Sequence, residues 1–351
     1  MEKTKLKSFT NRLFDDMAGA MTAGLAYLGT KTGLFRTMAG NGAMSREALA
    51  DASGLQLRYV TEWLSGMAAA GYVDYNPEDE TFSLPEEHAF LLASDGSDHY
   101  AGGLFHMVPS LLAVAPKVAD AFQNGGGVHF HDYGEEGLQA LDLINRGNYE
   151  HRFADHWLAA LPEVSARLTT GGTALDVGCG VGRASIALAK AFPNSLFVGV
   201  DQDEASIKAA IENAATEEAS EQTRFLAENI EAMPTDQVFD LITACDCIHD
   251  LSAPLETLGA IRERLSDDGV FFVIEPKAAD RLEDNFHSIG TMFYGFSVFH
   301  CMTQSLAAGG PGLGTCMGPA KTESLMRDAG FRQFEVLDIR SRVNSFYAVR
   351  K

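Results

Sequence analysis

The run Leu175-Asp176-Val177-Gly178-Cys179-Gly180-Val181-Gly182, with Val200-Asp201 about twenty residues further on, joins residue types that can hold a nucleoside. An apolar strand ends in an acid-x-Gly-x-Gly-x-Gly turn, a helix is expected over 183–192, and a second strand ends in an acid. Gly178, Gly180 and Gly182 let the backbone turn sharply and approach a ligand without Cβ clashes. Asp201, at the carboxyl edge of a parallel sheet, is placed to accept hydrogen bonds from a ribose diol. Two chemistries fit: hydride transfer with a dinucleotide, or methyl transfer from S-adenosylmethionine. Three details favour the methyl donor. The spacing is G-x-G-x-G, not the G-x-G-x-x-G that seats a pyrophosphate on a helix N-terminus. Asp176 stands where dinucleotide folds usually carry an apolar residue. The motif also lies behind a long preceding segment, as expected when an accessory domain comes first.

A second set of residues could act on the molecule that receives the group. The fourth expected strand runs into Cys245-Asp246-Cys247-Ile248-His249-Asp250-Leu251. His249 then sits at a strand's carboxyl edge, with an ordinary pKa near neutrality, and is the candidate base. Asp250 could orient that ring or cap a helix starting near Ser252; capping is the favoured role. Phe293, Tyr294, Phe296, Phe299, His300 and Met302 recur at helical spacing, so part of this stripe is core; Tyr294, His300 and Met302 are taken as acceptor contacts. Tyr149 and Arg152 lie on a helix expected over the donor, and Arg152 could pair with an acceptor carboxylate or stay solvated. Gly309 to Gly314 reads as a loop able to close the site. No metal is expected: Cys245-x-Cys247 has the wrong spacing for a zinc knuckle, and His129-x-His131-Asp132 lacks a matching carboxylate set.

The elements that must position these groups follow from the surrounding pattern. Strands are expected over 173–178, 196–201, 223–228, 239–245 and 270–275, with helices over 183–192, 204–219 and 253–265, and closing strands at 334–339 and 345–350. This is an α/β domain over 171–351. Ahead of it, Ser45 caps a helix that Gly54 ends, Leu57 to Ala70 forms another, and two short strands flank 76–80, which makes a winged-helix pattern within 1–95. A mostly helical connector is expected over 96–170.

Composition narrows the partners. The formal charge of -21 would repel polyanions. Residues 1–100 hold eight Lys/Arg against fourteen Asp/Glu, so the winged helix lacks the phosphate-neutralising charge that dominates DNA affinity. Dimerisation and covering a substrate pocket suit it better. No apolar run approaches the roughly 18–20 residues that span a bilayer, and the charged start lacks the apolar core of a secretory signal. Five cysteines, three of them at strand ends, suggest reduced thiols in a cytoplasm.

The winged-helix front, helical connector and acid-x-Gly-x-Gly-x-Gly domain together resemble S-adenosylmethionine-dependent small-molecule methyltransferases of the plant caffeic acid and bacterial polyketide O-methyltransferase type, over residues from about 15 to 350. The resemblance implies a Rossmann-like class I sheet of seven strands, the last antiparallel and inserted between the fifth and sixth. It implies a homodimer, and conversion of S-adenosylmethionine to S-adenosylhomocysteine. His249 matches the family's general base and Asp250 its neighbour. Asp176, Gly178, Gly180, Gly182, Asp201, Asn229, Ile230 and Cys245 match donor-binding positions, with Asn229 and the Ile230 backbone on the adenine. Leu251 replaces the usual Trp, Cys245 a donor-contacting Lys, and Asn229 the usual Asp. Two acceptor classes stay open. A hydroxyl needs His249 to take its proton, whereas a thioether such as 4-methylthio-2-hydroxybutyrate loses none and leaves the ring a positioning role. A non-enzymatic, ligand-sensing regulator is the reading of another class; its basic recognition helix is missing.

Overall fold

The computed structural model describes residues 1–234 and 236–351. It divides into two compact units: Met1–Ser110 with Glu135–Gly147, and Leu111–Gly134 with Asn148–Lys351. The stretch 96–170 is thus shared between them.

The first unit grows from a long helix, Lys3–Lys31, whose last turns pack inward. Trp63 donates from Nε1 to the Leu25 carbonyl at 2.8 Å and meets Phe35 edge-on. The helix Arg46–Ser53 starts where the Ser45 side chain accepts from the Ala48 N–H, and ends at Gly54, whose left-handed conformation a residue with a Cβ resists. The helix Leu57–Ala69 buries Val60, Trp63, Leu64 and Met67 on one face. Strands β1 (Asp74–Asn76) and β2 (Thr81–Ser83) pair antiparallel, and Met44 bridges to Phe82, which completes the small sheet of a winged helix. On the outer face of Leu57–Ala69, Arg58 is paired with Glu62.

The second unit is a seven-stranded sheet of β3 (Thr173–Val177), β4 (Leu196–Asp201), β5 (Thr223–Ala227), β6 (Phe239–Cys245), β7 (Leu265–Pro276), β8 (Gln333–Val336) and β9 (Asn344–Arg350). Their order is β5-β4-β3-β6-β7-β9-β8. The last strand, β9, runs antiparallel to both β7 and β8, between the fifth and sixth strands of the sheet. The strands are apolar because both faces are covered. Leu175, Val177, Ile242 and Ala244 lie in one core layer, and Ala174, Leu241, Val270 and Phe272 in the other. Register aligns Val177 with Val200 on one side and Ala244 on the other. The ends of β3, β4 and β6 therefore share one edge, which carries Gly178, Asp201 and Cys245. Differences from expectation are small. β7 begins earlier than residue 270, and β8 ends at Val336, after which the Leu337 N–H makes one more bond to the Phe346 carbonyl of β9.

Candidate active site at the carboxyl edge of the sheet

Donor-side geometry is set by backbone. The N–H groups of Gly178 and Cys179 both donate to the Val200 carbonyl, at 2.9 and 3.1 Å, which folds the turn back over β4. Gly180 has φ +52 and a Cβ built there would meet no atom within 4 Å, so open space lies beyond it. Gly182 has φ +79, and a Cβ there would sit 2.7 Å from Phe225 and 2.9 Å from Ala210. One glycine thus faces a ligand space while the other lets the helix Arg183–Ala191 close onto the sheet. Asp201 Oδ2 accepts from the Gly180 N–H and Oδ1 from the Asp203 N–H, each at 2.9 Å. Each oxygen retains acceptor capacity for a diol. Burial raises the Asp201 carboxyl, against these backbone donors. Asp176 is buried, with Oδ1 accepting from Thr243 at 2.7 Å and Oδ2 from Ser185 at 3.0 Å. Its burial, outweighing those bonds, lifts it to about 6. Its visible partners are protein groups, so it braces the turn. Asn229 is exposed and starts the short turn Ile230–Ala232, whose Ile230 is buried. The open space above Gly180, the Asp201 acceptors and the N-terminal turn of Arg183–Ala191 fit a ligand with a diol and an anionic end.

On the acceptor side, His249 lies in the turn Ile248–Asp250, directly after β6. Glu275, near the end of β7, holds it twice: Oε1 accepts the Ile248 N–H at 2.9 Å and Oε2 lies 2.7 Å from His249 Nδ1. Both side chains are almost fully buried. Burial works against a charged ring, but the Glu275 carboxylate and then Cys301 outweigh it and raise His249 well above the usual histidine range. With Nδ1 committed to Glu275, Nε2 is the nitrogen left for other partners. Sequence reading missed Glu275; its one signal was an acid interrupting the apolar run of a central strand.

Asp250 does not cap the next helix, which starts at Pro254 behind Ala253 with no side-chain cap. Burial pushes Asp250 up to about 7, and Asp246 likewise to about 7. Asp246 adopts φ 53, a left-handed conformation that Asp tolerates better than most, and Asn344 Nδ2 donates to it at 3.2 Å. Burial raises the Cys245 thiol far above the usual range, only slightly offset by the neighbouring Tyr149. Tyr149 is buried against Phe153 and Trp157, so it belongs to the wall beside the donor edge. Arg152 ends the helix Gly134–Arg152, half-buried. His300 is buried, 4.7 Å ring to ring from Tyr133, with Gln304 Nε2 at 2.8 Å from its Nδ1. Tyr294 is partly exposed, and Met302 packs on Gly312 and Gly314. The glycine loop is fastened to the His249 segment: Gly314 N–H donates to the His249 carbonyl at 2.9 Å, and Ser305 Oγ to that of Leu251 at 2.9 Å.

The comparisons agree with this geometry. Residues 168–327 match the model of a methyltransferase domain, and residues 20–94 that of the Rv2258c-like winged HTH domain. No curated protein sequence matches the chain. Similar solved structures include a provisionally assigned O-methyltransferase of Nostoc punctiforme PCC 73102, at 17% identity and TM-score 0.73, with all of both chains covered. The mitomycin 7-O-methyltransferase MmcR, at 17% identity and TM-score 0.68, also covers both chains fully. Human N-acetylserotonin methyltransferase in complex with S-adenosylmethionine follows at 16% identity and TM-score 0.69, with 97% of each chain covered. At such identities the likeness is one of fold. Matched domains, sheet order and a glycine turn suited to the methyl donor converge: residues 168–327 are a methyltransferase domain on the seven-stranded class I sheet, behind a winged helix–turn–helix domain over 20–94.

Proposed function

We propose that the enzyme methylates a hydroxyl group of a small molecule, with His249 as the base. The observation that carries this is the buried His249–Glu275 pair at 2.7 Å. A thioether acceptor loses no proton and would give such a pair no task, whereas a hydroxyl must lose one. Gly178, Gly180, Gly182, Asp201, Asn229 and Ile230 hold the donor, with Asp176 bracing their turn and Cys245 with Asp250 lining the same edge. When bound, S-adenosylmethionine supplies a methyl carbon on a sulfonium leaving group. His249 would take the acceptor hydroxyl proton on Nε2 as the methyl group is transferred. Glu275 keeps the ring oriented and compensates the charge it gains. Alignment contributes most, roughly 7–11 kcal/mol, and the base about 10²–10⁴-fold. Tyr294, His300, Met302 and Arg152 are the acceptor contacts in this reading, and Tyr149 backs them.

The test is transfer from isotope-labelled S-adenosylmethionine to phenols, hydroxy acids, thiols and thioethers, with His249→Ala beside wild type. Labelled ether that disappears in the variant supports the reading. Sulfonium product that survives the substitution would sink it.

The N-terminal unit supplies a dimer contact in the same proposal. Phe9, Phe14, Met17 and Met21 stand on the helix Lys3–Lys31, and Phe14 is 72% exposed. So large an uncovered apolar row suits a second copy of the chain. Phe14→Glu with Met17→Glu should halve the mass seen by light scattering, and a wild type that is already monomeric refutes this contact. The deficit of basic residues there argues for small molecules and against nucleic acid. The five free cysteines fit a reducing cytoplasm; among the described residues no single helix is long and apolar enough to cross a membrane.

A further inference from the structure

Arg264 ends the helix Pro254–Arg264 and is only 1% exposed, among the largest side chains buried whole in the molecule. Taking a guanidinium out of water without an anion beside it is costly. Its hydrogen bonds nevertheless go to carbonyls, not to a carboxylate, and among the described residues its Nε has no partner. Nη1 donates to the Ala260 carbonyl at 3.1 Å, one helical turn back, and Nη2 to the Met233 carbonyl. Met233 directly follows the short turn Ile230–Ala232, and its N–H donates to the Ile230 carbonyl at 3.1 Å. The same helix reaches that turn again nearer its start, where Thr257 Oγ1 donates to Glu231 Oε1 at 2.5 Å. Leu258 and Ile261, between these two points, share a core layer with Ile230 and Met233. One helix thus fastens the 230–233 segment at two polar points with apolar packing between them.

We propose that Arg264 is a positioning residue for the purine of the methyl donor, with Thr257 as its second fastener. Together they fix the backbone at Asn229 and Ile230, so that it tells adenine from other purines. The inference rests on the reading above that Asn229 and Ile230 hold the donor, with the adenine against them. Leucine or methionine would fill the space of Arg264 without a buried charge, but neither offers a donor to the Met233 carbonyl. That carbonyl lies after the turn and ahead of β6, outside the ladder of the sheet. A side-chain amide can flip to exchange donor for acceptor, whereas a backbone N–H cannot reverse its polarity. An Ile230 N–H held in one place therefore suits adenine, whose N1 accepts, and rejects hypoxanthine, whose N1 carries a proton. A loosened turn would lose that preference before the site lost its hold on the ribose, which Asp201 meets from β4 in the same reading.

The test compares S-adenosylhomocysteine with its deaminated analogue S-inosylhomocysteine, by calorimetry on the full-length enzyme. Wild type should prefer the adenine compound. Arg264→Met should weaken binding of that compound about tenfold and of the inosine compound much less, so that the preference collapses. Arg264→Lys, which keeps a charged donor, should restore part of it, and Thr257→Val should lower it by a smaller factor. An equal loss for both ligands would reduce Arg264 to general support and overturn the proposal, as would an unchanged preference. Should Arg264→Met fail to unfold cooperatively in urea, Arg264→Lys and Thr257→Val carry the same comparison. A second readout needs no ligand. Backbone amide exchange over 229–234, followed by mass spectrometry, should quicken in Arg264→Met while exchange over 176–182 keeps its wild-type rate. Exchange that quickens in neither segment, or equally in both, overturns the clamp. A wild type that binds the two ligands alike would remove the adenine reading and the specificity role with it, while amide exchange would still decide whether Arg264 holds the turn.

Discussion

The donor and acceptor sides occupy one edge of one sheet but are built on opposite plans. Most donor-side groups come from a short stretch, 176–203, and the geometry of that stretch is backbone geometry: a carbonyl taking two N–H groups, glycines at positive φ, and an Asp201 carboxylate already holding two N–H donors. Acceptor-side groups come from segments far apart in sequence. Glu275 lies 26 residues beyond His249, and Tyr133 reaches the Phe299 carbonyl across 166. Here buried charges, rather than backbone turns, set the chemistry. A damaged donor side should therefore lose binding or folding, and a damaged acceptor side should lose turnover with binding intact.

His249→Ala gives the largest expected effect. Methyl transfer to a hydroxyl should fall about 10²–10⁴-fold in kcat, with the calorimetric Kd for S-adenosylmethionine unchanged. A matching loss of donor affinity would erase the contrast between the two sides. Gly182→Val comes next. Its side chain would meet Phe225 and Ala210 while holding a positive φ, so stability should drop by about 2–5 kcal/mol in urea unfolding. Gly180→Ala separates strain from space. It has the same conformational penalty, about 1–2 kcal/mol, but nothing to clash with in the protein, so a further loss confined to donor affinity locates the ligand above it. Glu275→Gln is gentler, because the amide oxygen can still accept the Ile248 N–H. Losing the carboxylate removes the main group holding a proton on His249, so the acid limb of kcat/KM should move down by about one pH unit.

The same contrast explains what the sequence made legible. Strand, turn, helix and second acid are consecutive, so local propensity and glycine placement announced the donor side and the sheet that carries it. His249 was visible because it follows a strand end. Glu275 was hidden in an apolar run that reads as core, and becomes meaningful only when β7 is laid beside β6. The end of the acceptor stripe was hidden for another reason. The stripe from Phe293 to Met302 has helical spacing, but a π-helical turn changes which faces its last residues present, and no residue type announces that turn. The capping role expected for Asp250 failed because Pro254 starts the helix later, which leaves Asp250 in the buried turn with His249. In the first unit, capping Ser45 and Gly54 marked their helix directly.

The smallest expected effect concerns Asp246, whose carboxyl burial raises to about 7. In the unfolded chain it titrates near 3.9. Between these values the folded state keeps a proton that the unfolded state gives up, so stability falls as pH rises through the window from about 4 to about 7. Asp250 has the same sign, and so does His249, whose raised ring also holds its proton longer in the folded state. Asp246→Asn removes one of these contributions. Its amide oxygen can still accept from Asn344, and Asn tolerates the left-handed backbone that position 246 requires. The variant should match wild type near pH 4 and be more stable at pH 8, by at least about 1 kcal/mol. Urea unfolding at the two pH values decides the matter. An equal shift at both would mean that Asp246 acts by shape alone, and the electrostatic account of the acceptor side would lose its simplest member.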